Sequence, residues 1–592
     1  MGSTISAAWR LPAEPVLTRL LAAAVIVFFC IPLFFGLGRA DLENDEPIYS
    51  YAVEQMLRNG DWMTPRYIPS DGPFLEKPPL KFWLIAGAIQ AGVLPDNEFG
   101  HRFFDALFGA VAFLYVFAIA HRLAGPVAGF LAGMVLFAQQ ALLVDHGLRS
   151  NNMEAALVLA YCGGVYHALA WSATTTPRAR AWHPQAVAGY FVLGFMTKFV
   201  AVAFLPLVIA IVALTDGAWR RRLREDWKWW TAAAALATAL IVPWFAHQTW
   251  EWGPDLWHVI LGEHVVERMR VSIDPGHIRP WHFYWTRTVD EILANGTAPL
   301  ILIGLAILSW RTFQRRWDAG ALMLAWLIVP LAIISAGRGK LYHYVYPFLP
   351  PLAIAAGYGA VALFESASPV RRHLEAAAGW LSARLEFVGR RRPSAVRAAL
   401  ITIAVVSVVV ALWTVLVGRF AVRLGDVVVF RNRSVVRPIA AAALALVVAG
   451  SSRQAAHVVL ALLVIGSLGG YARSLRRLDD GQAQLQRLRS CLRQQFPDAT
   501  AARVYGHGDP GQWRYVYYFL PLGWTNEAPA DDARVVRSLT VPADFAPVLI
   551  TSAEYARLRQ AHGLQATIPD IEFNDGRRLL LPGRFAACAS TE

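Results

Sequence analysis

Six short segments of the chain combine carboxylates, cations and aromatic rings at the ends of apolar runs, and their spacing sets what chemistry they could do. The first is Asp41-Leu42-Glu43-Asn44-Asp45-Glu46. It is followed by Tyr49, Ala52, Val53, Met56 and Leu57 at helical spacing, so Asp45 and Glu46 stand at a helix start. The second is Phe74-Leu75-Glu76-Lys77-Pro78-Pro79-Leu80, where two prolines stiffen the backbone beside a Glu–Lys pair. A carboxylate near a lysine at an interface suits the activation of a hydroxyl against a phosphate leaving group. The third runs from Gly262-Glu263-His264-Val265-Val266-Glu267-Arg268 through Asp274-Pro275-Gly276-His277 to Arg279-Pro280-Trp281-His282-Phe283-Tyr284. Arg268 can clamp a phosphate with two parallel hydrogen bonds, and Trp281 and Tyr284 offer flat faces to sugar or interfacial lipid. His264 and Glu267 at i, i+3 could share a metal, although the His-Glu-x-x-His pattern is missing.

The other three are Gly337-Arg338-Gly339-Lys340-Leu341-Tyr342-His343-Tyr344, the isolated Lys198, and Asp145-His146-Gly147-Leu148-Arg149-Ser150-Asn151-Asn152-Met153-Glu154. Each has a plain alternative. Carboxylates near a membrane surface are commonly solvated helix caps, cations with tyrosines form ordinary interfacial belts, and Glu154 could be only a helix N-terminal charge. Lys198 lies between two apolar spans, where an ionisable group is a functional candidate by default.

The elements that must position these residues follow from composition. Of 592 residues, 56% are apolar and 16% charged, against about a quarter charged in a soluble domain, which excludes a soluble enzyme and a disordered chain. Apolar runs long enough to cross a bilayer, or nearly so, occur at residues 17–38, 102–122, 126–146, 152–171, 185–197, 199–215, 229–246, 294–310, 319–336, 344–364, 397–418, 437–450 and 455–470. The expectation is an all-α polytopic membrane protein of about 13 transmembrane helices. Residues 82–94 are too brief for a crossing and read as an interfacial or re-entrant helix. Net charge is +13, with arginines clustered at 178–180, 220–224, 311–316, 371–372 and 390–392. With the N-terminus inside, all of these fall on one side, the cytoplasmic side under the positive-inside rule. No nucleic-acid module is visible, so the bilayer accounts for the charge.

The six segments then all face outward, three of them within two long connections at 39–101 and 247–293; loops of that length usually carry function. From Tyr471 the composition changes to an Arg- and Gln-rich amphipathic stretch, Ser474 to Gln495, then alternating segments Ala502–Tyr505, Tyr515–Leu520 and Pro547–Thr551. Residues 471–592 therefore read as a small extracytoplasmic α/β domain after a transmembrane domain of residues 1–470. Cys30 and Cys162 are packing residues within spans. Cys491 and Cys588 lie in the outer tail, where a disulfide can persist, but spacing alone does not decide whether they bridge.

Taken in order, Asp45-Glu46, Glu76-Lys77-Pro78-Pro79, Gly262-Glu263-His264 to Arg268, Asp274-Pro275-Gly276-His277 with Pro280-Trp281, and Lys340-Leu341-Tyr342 to Pro350 resemble the lipid A aminoarabinose transferase and protein O-mannosyltransferase group of GT-C glycosyltransferases, over about residues 17–360. The resemblance implies an inverting transferase of the GT-C type. Such an enzyme takes a sugar from a polyprenyl phosphate, in bacteria undecaprenyl phosphate, and passes it to an envelope glycolipid, glycan or protein on the outer, periplasmic face of the inner membrane. Asp45 then resembles the catalytic carboxylate, with Glu46 beside it. Lys77 and Arg268 resemble the donor-phosphate contacts, joined by Lys340 and by Tyr342 or Tyr344. Where relatives carry Asp-Met-Pro after the third span, this chain has Asn152-Met153-Glu154-Ala155, which makes Glu154 the candidate for the second acid. Glu76, Lys198, His264, Glu267, His277, Trp281 and His343 complete the expected substrate-binding set. No soluble cofactor is required; a divalent cation is left open and no metal ligands are assigned. The rival expectation is a transporter or flippase for lipid-linked sugars, which would place ionisable groups at the midplane of two related halves.

Overall fold

The computed structural model describes residues 15–589 apart from 69–71, 271–274, 316–317, 365–371, 373–374, 377–378, 381–393, 418–419, 425–426, 433–435, 450–451, 480, 496–503, 508–512, 523–524, 528–531 and 565–567. Asp274 and the arginines at 371 and 390–392 lie outside the described residues, as do the side chains of His264 and Arg268. The chain divides into two compact units. One comprises residues 1–35, 76–80 and 103–478, the other residues 36–75, 81–102 and 479–592.

The first unit is helical. Among the described residues seven helices are long and apolar enough to cross a membrane, eight if Tyr342–Phe348 and Pro350–Leu363, bent by 47°, form one broken span. The protein is therefore a multi-pass membrane protein. The bend has a local cause, since Pro347, Pro350 and Pro351 cannot donate the backbone hydrogen bonds a straight helix needs. Elsewhere helices touch through small residues. At the crossing of helices Ala298–Arg315 and Pro350–Phe364, a Cβ on Gly359 would come within 2.5 Å of the Gly304 Cα, so only glycine permits this approach.

Three sequence expectations change here. The apolar run 126–146 is not one helix but Pro126–Phe137 and the short Gln140–Val144. At the break Gln139 turns its amide on Val135 O (3.1 Å) and Thr297 Oγ1 (3.2 Å), which satisfies the interrupted backbone. The stretch 474–495 is split too, because Ser452–Arg476 continues through Ser474 before a new helix, Gln484–Gln495. A third difference is a β-hairpin, Phe420–Leu424 against Val427–Asn432, that the apolar pattern had not announced.

The second unit holds a five-stranded sheet in the order Thr525–Glu527, Tyr505–His507, Val548–Thr551, Arg577–Leu580, Asp570–Glu572. The first two pairings are parallel and the last two antiparallel, with Ile550 opposite Arg578. Val548, Ile550, Leu580, Leu558, Val535 and Leu539 form the core between this sheet and its helices. Residues 515–520, expected as a strand, belong instead to helix Trp513–Phe519 and the turn that follows. Tyr515 through Phe519 are all buried, so neither face of this segment was solvated and its apparent alternation was no guide to period. Residues 82–94 begin as helix Leu80–Gln90, whose 11 residues span roughly 16 Å, about half a hydrocarbon core.

Two fastenings organise this unit. The Asp41 carboxylate accepts hydrogen bonds from the backbone of Leu485 (2.8 Å) and Gln486 (3.0 Å), capping helix Gln484–Gln495 from 444 residues away. Cys491 on that helix is disulfide-bonded to Cys588, the bridge that spacing had left open. Cys588→Ser should lower the stability of this unit by about 2–5 kcal/mol, read as a lower urea midpoint for protection of residues 479–592 from protease. Asp41 supplies a pH test. Burial pushes its carboxyl from the ordinary 3.8 up to about 6, against the opposing pull of the Leu485 and Gln486 amides. The folded state thus favours the protonated form, so the group's contribution is full below 3.8 and is lost as pH rises through about 6. Asp41→Asn keeps an oxygen for only one of the two capping amides, so it lowers the melting temperature overall, but it should flatten the fall of melting temperature across that window; an unchanged slope would contradict it.

Candidate active site

Asp45 and Glu46 are adjacent but differ in environment. Asp45 precedes helix Glu46–Asn59 in the capping position, yet its carboxylate makes no capping hydrogen bond; its own backbone is already helical (φ -84°, ψ -10°) rather than extended as capping requires, and Asn44 just before it takes a left-handed turn at φ 54° that a short polar residue tolerates. Asp45 is half-buried, and among the described residues its carboxylate has no side-chain partner. Glu46 is only 3% exposed and fully engaged. Arg102 grips both its oxygens, Nε on Oε1 and Nη2 on Oε2, each at 2.7 Å, and the Glu43 amide donates to Oε2 at 2.9 Å. The same guanidinium donates to the carbonyls of Leu37 (3.0 Å), Ala40 (2.8 Å) and Asp41 (2.8 Å). One arginine therefore fastens the whole approach to Asp45, with no donor left over.

Tyr518 adds a second brace, accepting from Leu42 N at 2.9 Å and donating to Glu98 Oε1 at 2.9 Å. Close by in the same unit, ligand atoms of Glu54, Asp96 and His101 lie within 4.8 Å of one another. Their present partners compete with a cation: Arg58 sits 3.1 Å from Glu54, the Tyr517 hydroxyl donates to Glu54 at 2.5 Å, and the His101 hydrogen bond holds the Asp96 carboxyl below the usual range.

The first unit gathers a different set. Glu154 opens helix Glu154–Ala173 and Lys198 closes helix Pro177–Lys198. Lys198 donates a short hydrogen bond to Glu154 Oε1, while His343 Nε2 lies 3.5 Å from the same oxygen. Tyr344 turns its ring under the Lys198 ammonium, 5.1 Å from the centroid. His343 in turn stacks on His146 at 4.7 Å, and His146 Nδ1 is 3.2 Å from Asp145, whose carboxyl this contact holds below the ordinary range. Four candidates separated by up to 190 positions thus form one cluster, with Glu154 3% exposed. Backbone strain accompanies it: His146 has φ 52° and Phe199, directly after Lys198, φ 55°. Arg149 anchors the loop by donating to the carbonyls of Leu33 (3.0 Å), Leu478 (2.5 Å) and Phe35.

Lys340 does not reach into this cluster. It is 3% exposed and donates to the carbonyls of Arg279 (3.0 Å) and Gly337, so its charge is spent on bracing loops. The Lys340 amide bonds His277 O at 2.9 Å and Ile278 bridges Gly339, which joins the 275–279 and 337–340 segments into one edge. Tyr342 carries the Arg287 guanidinium 5.5 Å over its ring. Lys77 pairs with Glu76 at 3.5 Å. Glu267 is exposed and Trp281 is 69% exposed, while Arg268 opens the short helix Arg268–Arg270.

Sequence reasoning missed Arg102, Arg149 and the role of His146. The signal for Arg102 was there, a guanidinium at the start of an apolar run, where an unpaired charge is too costly to leave. Nothing local marked Arg149, because its partners are carbonyls from distant segments.

The comparisons with known proteins agree with the motif resemblance. Residues 76–247 match the family model described as dolichyl-phosphate-mannose-protein mannosyltransferase. The chain is similar to an undecaprenyl phosphate-alpha-4-amino-4-deoxy-L-arabinose arabinosyl transferase of Pseudomonas fluorescens, 31% identical over 358 residues, covering 59% of this chain and 56% of that protein. Against the corresponding transferase of Pseudomonas aeruginosa it is 29% identical over 354 residues, 58% and 59% of the two chains. The chain thus spans less than two thirds of the length of the curated relatives it matches. Among solved structures, ArnT from Cupriavidus metallidurans bound to undecaprenyl phosphate superposes with a TM-score of 0.58 at 17% identity, over 96% of this chain and 98% of that one. That likeness shows a shared GT-C fold. The resemblance to the aminoarabinose transferase and protein mannosyltransferase group is borne out.

Glu154→Gln should destabilise the protein by about 3–5 kcal/mol by leaving the Lys198 ammonium without its counter-ion. Glu154→Leu combined with Lys198→Met should recover most of the loss. Melting temperatures in detergent measure both, and an unaffected Glu154→Gln would mean that the pair is not desolvated.

Proposed function

We propose that this protein is an inverting membrane glycosyltransferase that moves a sugar from a polyprenyl (undecaprenyl) phosphate to an envelope glycolipid, glycan or protein on the outer face of the inner membrane. The named relatives support the donor class, and they are transferases, which does not favour the transporter alternative. The observation that carries the reading is the contrast at the first outer loop. Glu46 is consumed by Arg102, whereas Asp45, held half-buried on that braced loop, keeps a free carboxylate. This is what a general base needs: a fixed position and an unused lone pair.

In the reaction we propose, the acceptor hydroxyl oxygen attacks the anomeric carbon from the face opposite the phosphate. The carbon–oxygen bond to phosphate breaks, and polyprenyl phosphate departs with the electron pair while Asp45 takes the hydroxyl proton. Lys77 and Arg268 stabilise the charge growing on that phosphate, with Tyr342 and Tyr344 as hydrogen-bond donors. Glu46 positions Asp45 through Arg102. Glu154, Lys198 and His343 form a charge-balanced wall of the donor site, and Lys340 braces the loops that carry His277 and Trp281. Glu76, His264 and Glu267 are assigned to substrate binding. No step is routed through a metal. The membrane domain extends over residues 1–470 with about thirteen crossings, counting the shorter apolar helices, and residues 471–592 form an α/β domain on the periplasmic side.

Asp45→Asn preserves shape and removes the base. Transfer from purified polyprenyl-phosphate sugar should fall by about 10² to 10⁴ with an unchanged melting temperature, and turnover within threefold of wild type would remove Asp45 from the mechanism. Arg268→Lys keeps charge but loses the bidentate fork, so donor affinity should weaken while acceptor affinity holds. A fall confined to acceptor affinity would contradict the phosphate role. Impermeant labelling of single cysteines in intact cells should modify the 479–592 region and spare the neighbourhood of Arg222.

A further inference from the structure

Helices Glu154–Ala173 and Pro177–Lys198 meet at their far ends, away from the Glu154–Lys198 pair, in the turn at residues 174–176. Helix Gly217–Glu225 is fastened there. Arg222 donates to the Thr174 carbonyl and lies over the Trp171 ring, and Trp171 Nε1 donates to Asp226 at 2.9 Å. This short helix therefore lies at the opposite membrane face from the cluster around Glu154.

Its charges are unevenly satisfied. Asp216 is used in capping, accepting from Ala218 N at 2.7 Å and Trp219 N at 2.9 Å. Arg180 takes both carboxylates at the end of the helix, Glu225 at 3.0 Å and Asp226 at 2.8 Å. Arg220 donates to the carbonyls of Ala213 (3.4 Å) and Leu214 (2.6 Å). Arg221 and Arg224 are exposed, stand three residues apart on one helix face, and have no hydrogen bond or ion pair among the described residues. Like charges at that spacing repel. Together with Gly217, Arg220 and Glu225 they line a shallow, open crevice of about 520 Å³ along this one helix. Two large apolar side chains flank the helix in sequence and stand out from the protein, Leu214 (71% exposed) and Trp227 (65% exposed).

We propose that this crevice holds the phosphate of an anionic phospholipid headgroup. A phosphodiester can accept from both guanidiniums and relieves their repulsion, as basic pockets at a membrane surface do for anionic lipids. The exposed leucine and tryptophan argue for a lipid over a soluble phosphate, because they would enter the acyl region and the interface on either side of the crevice. Positive-inside placement requires only that Lys and Arg lie near the span ends on one side. It does not require that two arginines be left without carboxylates while Arg180 gathers two.

The test uses the full chain in detergent, with dioleoylphosphatidylglycerol and dioleoylphosphatidylcholine as probes and native mass spectrometry as readout. Wild type should retain phosphatidylglycerol over phosphatidylcholine. Arg221→Gln with Arg224→Gln should lower that retention by about thirtyfold, two surface guanidiniums' worth, and Arg178→Gln should not change it. Arg221→Lys with Arg224→Lys keeps the topological charge, so it decides the matter should the glutamine variant fail to insert; it should retain less than wild type. Excess inorganic phosphate should not displace the lipid. Equal retention by wild type and the lysine variant, equal binding of phosphatidylcholine, or displacement by inorganic phosphate would each overturn the proposal.

Discussion

A charge taken out of water has to be answered by another charge or by several dipoles, and this requirement organises the protein. The Glu154–Lys198 contact states it most plainly. Neither group could be buried alone at the end of a membrane helix, and together they bring the start of one helix to the end of the next. His343 closes on the same carboxylate, His146 stacks on His343, and the loop between Asp145 and Glu154 is thereby shaped around a single oxygen. The positive φ values of His146 and Phe199 are the local cost of that convergence.

The same rule separates two neighbouring acids in the other unit. Arg102 needs five acceptors and finds them in Glu46 and three carbonyls. Glu46, the more buried acid, is consequently a fastening. Among the described residues Asp45 is left over by this arithmetic, and the role proposed for it as a base rests on that freedom from internal partners. On that proposal reactivity arises by subtraction, since what is chemically idle in the fold can be active toward a ligand. The reasoning extends to cations, where Lys340 is exhausted by loop carbonyls while, among the described residues, Arg221 and Arg224 remain unspent.

Much was legible in the sequence alone. Apolar runs of membrane length and a low charge content determined a multi-pass helical protein, because a bilayer admits few alternatives for satisfying backbone polar groups. The residue types at the outer segments, and their order, determined a resemblance to GT-C transferases that the comparisons bear out. Lys198 stood out because an ammonium between two apolar spans is expensive, and for the same reason it has a partner. These are properties of composition and local spacing, which the chain carries before it folds.

Tertiary structure decided what distance in sequence conceals. That Glu46 is clamped and Asp45 is not depends on Arg102, 56 positions away, and nothing in Asp-Glu distinguishes the two acids beforehand. The split of the 126–146 run, the helix at Trp513–Phe519 where a strand was expected, and the closure of Cys491 onto Cys588 were likewise set by contacts formed only on folding. Periodicity is readable only when one face of an element is solvated. The five-residue run from Tyr515 to Phe519 is buried all round, so its pattern was silent and its partners chose its conformation.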